Sequence, residues 1–226
     1  MNKDRDKEIL SPLNREESEQ KRARALVEAC RRIRENLKTS DPRELARKSA
    51  LNLEQREGGG LVLIGQKIET AYQITLPDYT ISRLDNREVS LQSELLWLHY
   101  LDRADGEPLS GRWVNLSEIG GLFYQQAFQG YCGDALADYW QDNLKGLETR
   151  CRETGGWPLQ NLGDLAYQWR VLPRLPVCLC YRKPSGGQSA WATMLFDAAT
   201  EHYCAADVAA TMAKWVADKL MKPTVN

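Results

Sequence analysis

Two histidines and six cysteines, with a scatter of carboxylates, are the side chains here best suited to chemistry, and their surroundings limit what they can do. His99 follows Leu95 at i+4 and precedes Tyr100, so it flanks the apolar face of a helix. An imidazole there could be an axial ligand for a haem or corrinoid, a general base, or a bridge to a loop carbonyl, and the bridge is the favoured reading. His202 lies in Phe196-Asp197-Ala198-Ala199-Thr200-Glu201-His202-Tyr203, where Asp197 and Glu201 could orient its ring. Asp197 could equally cap a turn. An acid–base enzyme would draw on Asp164, Asp197 or His99, and would need them in one cleft.

The cysteines are scattered, and no Cys-x-x-Cys pair sets up a zinc ribbon or iron–sulfur cluster. Cys178-x-Cys180 places two sulfurs on one face of a strand, which with Cys204 or Cys132 could hold a soft metal. Small apolar filling of a strand covered on both faces is the stronger reading. Two histidines cannot make a three-histidine zinc site within one chain. Gly58-Gly59-Gly60 precedes a strand, the wrong order for a dinucleotide fingerprint, and no phosphate loop ending in Gly-Lys-Ser/Thr occurs. Gly187-Gln188-Ser189-Ala190-Trp191 lacks the second glycine of a nucleophile elbow. Seven tryptophans are spread through every element, which suits cores and helix junctions better than one aromatic box.

Periodicity supplies the scaffold on which these groups sit. The 226 residues suit one domain with an appendage, or two small ones. Leu10 to about Lys38 reads as a charged helix with Ser11-Pro12 at its start and an apolar stripe only over Leu26, Cys30, Ile33 and Leu37. Asp41-Pro42-Arg43-Glu44 starts a second helix, with Leu45, Ala46 and Ala50 as its apolar face, and Gly58-Gly59-Gly60 ends the helical pattern. A meander of three or four strands comes next: Leu61 to Ile64, a turn at Gly65-Gln66, alternation from Ile68 to Leu76, and Tyr79 to Leu84. Ser90 caps a helix to about Arg103, and Trp113 to Leu116 is a short extended piece with Ser117 capping the segment after it. Gly121 to about Thr154 is helical with a break near Gly130 to Asp134, and Gly155-Gly156-Trp157-Pro158 is a firm stop. Strands at Tyr167 to Leu172, Val177 to Tyr181 and Trp191 to Phe196 precede a final helix capped by Asp207. The expectation is an α+β fold of antiparallel sheet regions with packed helices, plus an N-terminal charged helix. Residues 1–39 would form the helical extension and 40–226 a single α+β domain.

With those elements placed, the chain resembles the DUF3786 family of anaerobic bacteria and archaea, a group of unknown function, over about residues 40–220. The matching pieces include Asp41-Pro42, Leu96 to Leu101, Gly111-Arg112-Trp113-Val114, Glu118 to Gly121, Tyr124 through Phe128, Gly155-Gly156, Gly163-Asp164, Leu172 to Val177, and Leu195-Phe196-Asp197. The resemblance implies an accessory or ligand-binding role in anaerobic one-carbon or redox metabolism, beside corrinoid or iron–sulfur proteins. Two departures matter: Cys30 is the only cysteine before Cys132, and Ser185 to Ala190 stands where family members carry an acidic Asp/Glu-Phe-Pro segment.

Net charge of −1 gives no global field for nucleic acid, and the basic runs Lys21 to Arg24 and Arg31 to Arg34 are interleaved with glutamates. The apolar runs are too short to cross a membrane, and the charged N-terminus is unlike a secretory signal, so the expected location is cytoplasmic. The expected function is a non-catalytic module binding a ligand or partner, with a pocket near His99, Tyr100, Trp113, Tyr124 and Asp197 and with Asp164 and His202 as further candidates. A small-molecule enzyme using carboxylates near His99 and Asp197 is the first alternative. A protein-interaction module docking through residues 10–38 is the second.

Overall fold

The computed structural model describes residues 12–222, and its two antiparallel sheets and packed helices make an α+β fold. Leu10 and Ser11, expected at the first helix start, lie outside the described residues. Helix α1 (Pro12–Leu37) buries Cys30, Ile33 and Leu37 and half-buries Leu26, the stripe expected of its C-terminal half. Helix α2 (Pro42–Ser49) is capped by Asp41, whose carboxylate accepts from the N–H groups of Arg43 and Glu44 at 2.7 and 3.2 Å. Its buried face is Leu45, Ala46 and Ser49; Ala50 is the left-handed C-cap and faces solvent.

The first sheet is the meander β1 (Asn52–Gln55), β2 (Leu61–Lys67), β3 (Thr70–Thr75) and β4 (Thr80–Arg83). Strand β1 was not expected, and the Gly58 to Gly60 loop therefore joins two strands. The expected turn at Gly65-Gln66 is corrected too: β2 runs through it to Lys67, pairing Gly65 with Tyr72 and Gln66 with Ala71. The turn is at Ile68-Glu69, where Ile68 takes φ 56°, an uncommon conformation for a β-branched residue. Leu63, Tyr72, Ile74 and Ile81 point to the core, while Asn52, Ile64, Gln66 and Ala71 share the other face.

Helix α3 (Leu91–Arg103) is capped by Ser90 and buries Leu96, Trp97, Leu98, Tyr100 and Leu101. A helix so covered ties distant parts of the chain together. The Tyr100 hydroxyl donates to the Ser49 carbonyl at 2.6 Å and accepts from the Arg174 N–H at 3.1 Å. Beyond it, β5 (Trp113–Val114) leads to a 3-10 turn started by Asn115, not Ser117, with Glu118 accepting from the Asn115 N–H at 3.1 Å. The expected helical stretch is a chain of short pieces: a 3-10 turn (Leu122–Tyr124), α4 (Gln125–Phe128), a π-helix (Gln129–Asp134), α5 (Ala135–Trp140) and α6 (Leu144–Glu153). The π segment coincides with the expected break. There Gln129 donates to the Ala192 carbonyl at 2.8 Å and accepts from the Thr193 hydroxyl at 3.0 Å, covering a sheet edge that β5 leaves open.

The second sheet has the order β5, β9 (Trp191–Asp197), β8 (Leu175–Arg182), β7 (Leu165–Leu172) and β6 (Trp157–Pro158). Gly155-Gly156-Trp157-Pro158 is thus both a stop and a strand start. Tyr167, Trp169, Val177, Leu179, Tyr181, Met194 and Phe196 face the main core, shared with the first sheet and with α1 through its C-terminal half. Helix α7 (Ala206–Leu220) closes it, with Ala205 as cap position and Asp207 in its first turn.

Candidate functional site

Both sheets turn their second faces toward one hollow. The tip of the β2–β3 hairpin reaches the open edge of β7, where the Ile68 N–H bonds the carbonyls of Arg170 (3.2 Å) and Val171 (3.1 Å). The sheets diverge from that joint and enclose a cleft of about 840 Å³. Asn52, Ile64, Gln66, Ile68, Glu69 and Ala71 line one wall; Trp157, Gln168, Arg170 and Pro176 line the other.

Local sequence explains the wall that carries Trp157. Gly155 adopts φ 77°, open to glycine without strain, and Gly156 lies so close to Trp169 that an added Cβ would be 2.8 Å from its ring. The chain turns out of α6 over Trp169 and leaves the next indole, Trp157, 71% exposed. Register places Trp157 beside Gln168 and Arg170 beside Pro176. Alternation along β7 sends Gln168 and Arg170 away from the core that holds Tyr167, Trp169 and Val171. In the opposite wall Gly65 admits what a side chain would exclude, since a Cβ there would stand 2.2 Å from Leu51 Cδ2 and 2.9 Å from the Trp97 ring.

Among the described residues, the side chains of Gln66, Glu69, Gln168 and Arg170 form no hydrogen bond with the protein, and Arg170 and Glu69 enter no ion pair. The cleft therefore offers an open indole face, a free guanidinium, a free carboxylate and amides, set among Ile64, Ile68, Leu109 and two prolines. This is the usual make-up of a small-molecule site: apolar walls with a few polar groups that fix orientation.

The side chains singled out from sequence are elsewhere, and none lines this cleft. Asp197 is 2% exposed, and its carboxylate accepts from Ser110 N–H (3.0 Å), the Ser110 hydroxyl (2.9 Å), Gly111 N–H (2.7 Å) and Ala199 N–H (2.9 Å). Trp113 is its ladder partner in β5, so these two do meet. Tyr100 is buried with its hydroxyl engaged as above. His99 is half-buried toward the charged groups Asp102, Arg103, Asp207 and Arg32, and burial holds its imidazole below the ordinary value. Tyr124 stands exposed beside Leu122 and Phe123. Asp164 accepts from the Lys183 N–H at 3.0 Å. His202 Nδ1 meets Asp105 Oδ2 at 2.6 Å, a surface link between the α3 exit loop and the 3-10 turn Ala198–His202. No hydrogen bond joins His99, Asp164 and Asp197 to one another.

All six cysteines are buried free thiols, and burial raises every one, Cys132 and Cys204 to about 12. Cys178 and Cys180 pack with Ala166 and Leu195 under Trp113, Leu159 and Leu162. Among the described residues no three His, Cys, Asp or Glu side chains converge as a metal site would require.

The family model described as "Domain of unknown function (DUF3786)" matches residues 41–219. The chain belongs to this family. No curated protein and no solved structure matches this DUF3786 chain. The match begins at the cap of α2 and leaves α1 outside it, although the C-terminal half of α1 is packed in the core. No helix among the described residues is long and apolar enough to cross a membrane.

Proposed function

We propose that this DUF3786 protein is a non-catalytic cytoplasmic accessory protein that holds a small ligand in the cleft between its sheets. The observation that carries this is the pairing of Trp157, exposed by a glycine turn, with the unpaired guanidinium of Arg170 on the same wall. An indole face takes a flat ring, and a free guanidinium takes a carboxylate or phosphate. Glu69 and the two glutamines suit hydroxyl and amino groups on the same molecule. The class implied is a nucleotide-sized anion with an aromatic ring. A role beside corrinoid or iron–sulfur enzymes of anaerobic metabolism rests on the family resemblance.

Sequence left the cofactor open, with a haem or corrinoid among the candidates, and the cleft does not fit axial ligation of either. Its lining contains no histidine, cysteine, methionine or tyrosine. An acid–base enzyme is not favoured, because Asp197 has its oxygens engaged and is buried away from the cleft.

Calorimetric titration with adenosine 5′-monophosphate, a ring-bearing anion of suitable size, tests the reading. Binding to the wild type, weakened about tenfold or more by Arg170→Gln and by Trp157→Ala, is the expected result. Equal binding by wild type and both variants would dismiss the cleft as the site.

A further inference from the structure

Glu69 stands at the turn between β2 and β3 and lines the cleft. Its exposed side chain reaches the opposite wall, at the turn out of α6. A Cβ added to Gly155 would lie 2.7 Å from both the Glu69 carboxyl carbon and Oε1, so the carboxylate occupies the room that glycine leaves. Gly155 is itself fixed, its N–H bonded to the Arg152 carbonyl at 3.1 Å. Two residues of chain span at most about 7 Å, which keeps the carboxylate close to the exposed indole of Trp157. Among the described residues Glu69 accepts no hydrogen bond and enters no ion pair, although Arg170 lines the same cleft. Gln168, the ladder partner of Trp157, lines that cleft too.

An ionised carboxylate accepts and does not donate, and its two oxygens take two parallel donors. Purine edges differ in what they offer such a group. Guanine presents N1–H and its 2-amino group side by side, one donor for each oxygen. Adenine presents the lone pair of N1 beside its 6-amino group, so the same carboxylate meets one donor and one repelling acceptor. Hypoxanthine keeps N1–H and lacks the 2-amino group. Stacking on an indole holds any of these rings, so the edge contacts decide among them.

We propose that Glu69 is the specificity-determining residue of the cleft and selects a guanine nucleotide over an adenine one, a choice that rests on the cleft being the ligand site. Trp157 stacks the base, Glu69 accepts from N1–H and the 2-amino group, and Arg170 takes the phosphate. The guanine O6 accepts an amide N–H of the kind that Gln66 and Gln168 supply.

Parallel calorimetric titrations of the full-length chain with guanosine, inosine and adenosine 5′-monophosphates test this. The wild type should bind the guanosine nucleotide about tenfold or more tighter than the adenosine one, with inosine between. Glu69→Gln, whose amide offers one donor and one acceptor, should weaken guanosine binding about tenfold and leave adenosine binding within about twofold. Its melting midpoint should match the wild type, because Glu69 is exposed and engages no protein group. Equal affinity for the guanosine and adenosine nucleotides, or a preference that survives Glu69→Gln, would overturn the proposal. If adenosine 5′-monophosphate binds through Trp157 and Arg170 without a guanine preference, only the role of Glu69 falls; if no nucleotide binds, the cleft reading falls with it.

Discussion

Asp197 shows how a carboxylate in a suggestive setting can be wholly structural. Four donors from Ser110, Gly111 and Ala199 converge on it, fastening the α3–β5 loop to the end of β9. Removing it would leave the buried Ala199 N–H without an acceptor and release the Ser110 and Gly111 donors to solvent, so Asp197→Ala should cost about 1–3 kcal/mol in urea unfolding. A loss under about 0.5 kcal/mol would contradict that role. His202 and Asp105 carry a pH dependence of definite sign. Their hydrogen bond raises the imidazole, while the Glu107 N–H first and then His202 lower the carboxyl. The histidine contribution is complete below the unfolded value of about 6.5 and fades as pH rises through the higher folded value; the aspartate contribution fades as pH falls below about 4. The stability gap between wild type and His202→Gln should therefore shrink from about pH 6 to about pH 9, and it should stay under about 1 kcal/mol because the pair is exposed. Sequence placed Asp197 next to Trp113 in the right neighbourhood but could not show that its oxygens were taken. It passed over Trp157 for a physical reason: an indole after two glycines reads the same whether it faces core or solvent. The outward direction of Arg170 was readable in the alternation Tyr167-Gln168-Trp169-Arg170-Val171.

At the scale of elements, two glycines let the walls of the cleft lie close against the core. Gly65 lets β2 lie against Leu51 and Trp97, and Gly156 lets the chain lie against Trp169. Gly65→Val should cost about 1–3 kcal/mol through overpacking, read as a lower urea midpoint at unchanged slope, whereas unchanged stability would mean the Trp97 side has slack. Most elements were legible because their period was clean: the Ser90 cap, the stripe on α1 and the alternation of β3 all stand as read. Strand β1 was not, since Asn52-Leu53-Glu54-Gln55 suits a helix as well as an edge strand. The β2–β3 turn was misplaced because Gly65-Gln66 looks like a turn, while the real one puts Ile68 at a positive φ that its side chain disfavours. Its bonds to Arg170 and Val171 hold it there. Tertiary contact overrode local preference at the joint between the sheets.

For the molecule as a whole, α1 belongs to the core. Cys30, Ile33 and Leu37 are buried, the Tyr79 hydroxyl donates to the Leu37 carbonyl at 2.8 Å, and Arg34 pairs with Glu94. Burying an aliphatic side chain contributes about 1.5–3 kcal/mol, and a domain's net stability is only about 5–15 kcal/mol. Deleting the residues before Ser40 should therefore abolish cooperative unfolding, even though the family match begins at residue 41. A truncated chain that melts like the full one would make the helix an independent appendage. The central claim concerns the hollow between the sheets, and amide and indole resonances test it most directly. On titration with adenosine 5′-monophosphate, the Trp157 indole N–H and the Gln66 and Gln168 side-chain amides should shift together, saturably, while the Trp113 indole stays still. Shifts centred on Trp113 and the neighbourhood of Asp197, with the cleft signals unmoved, would contradict it.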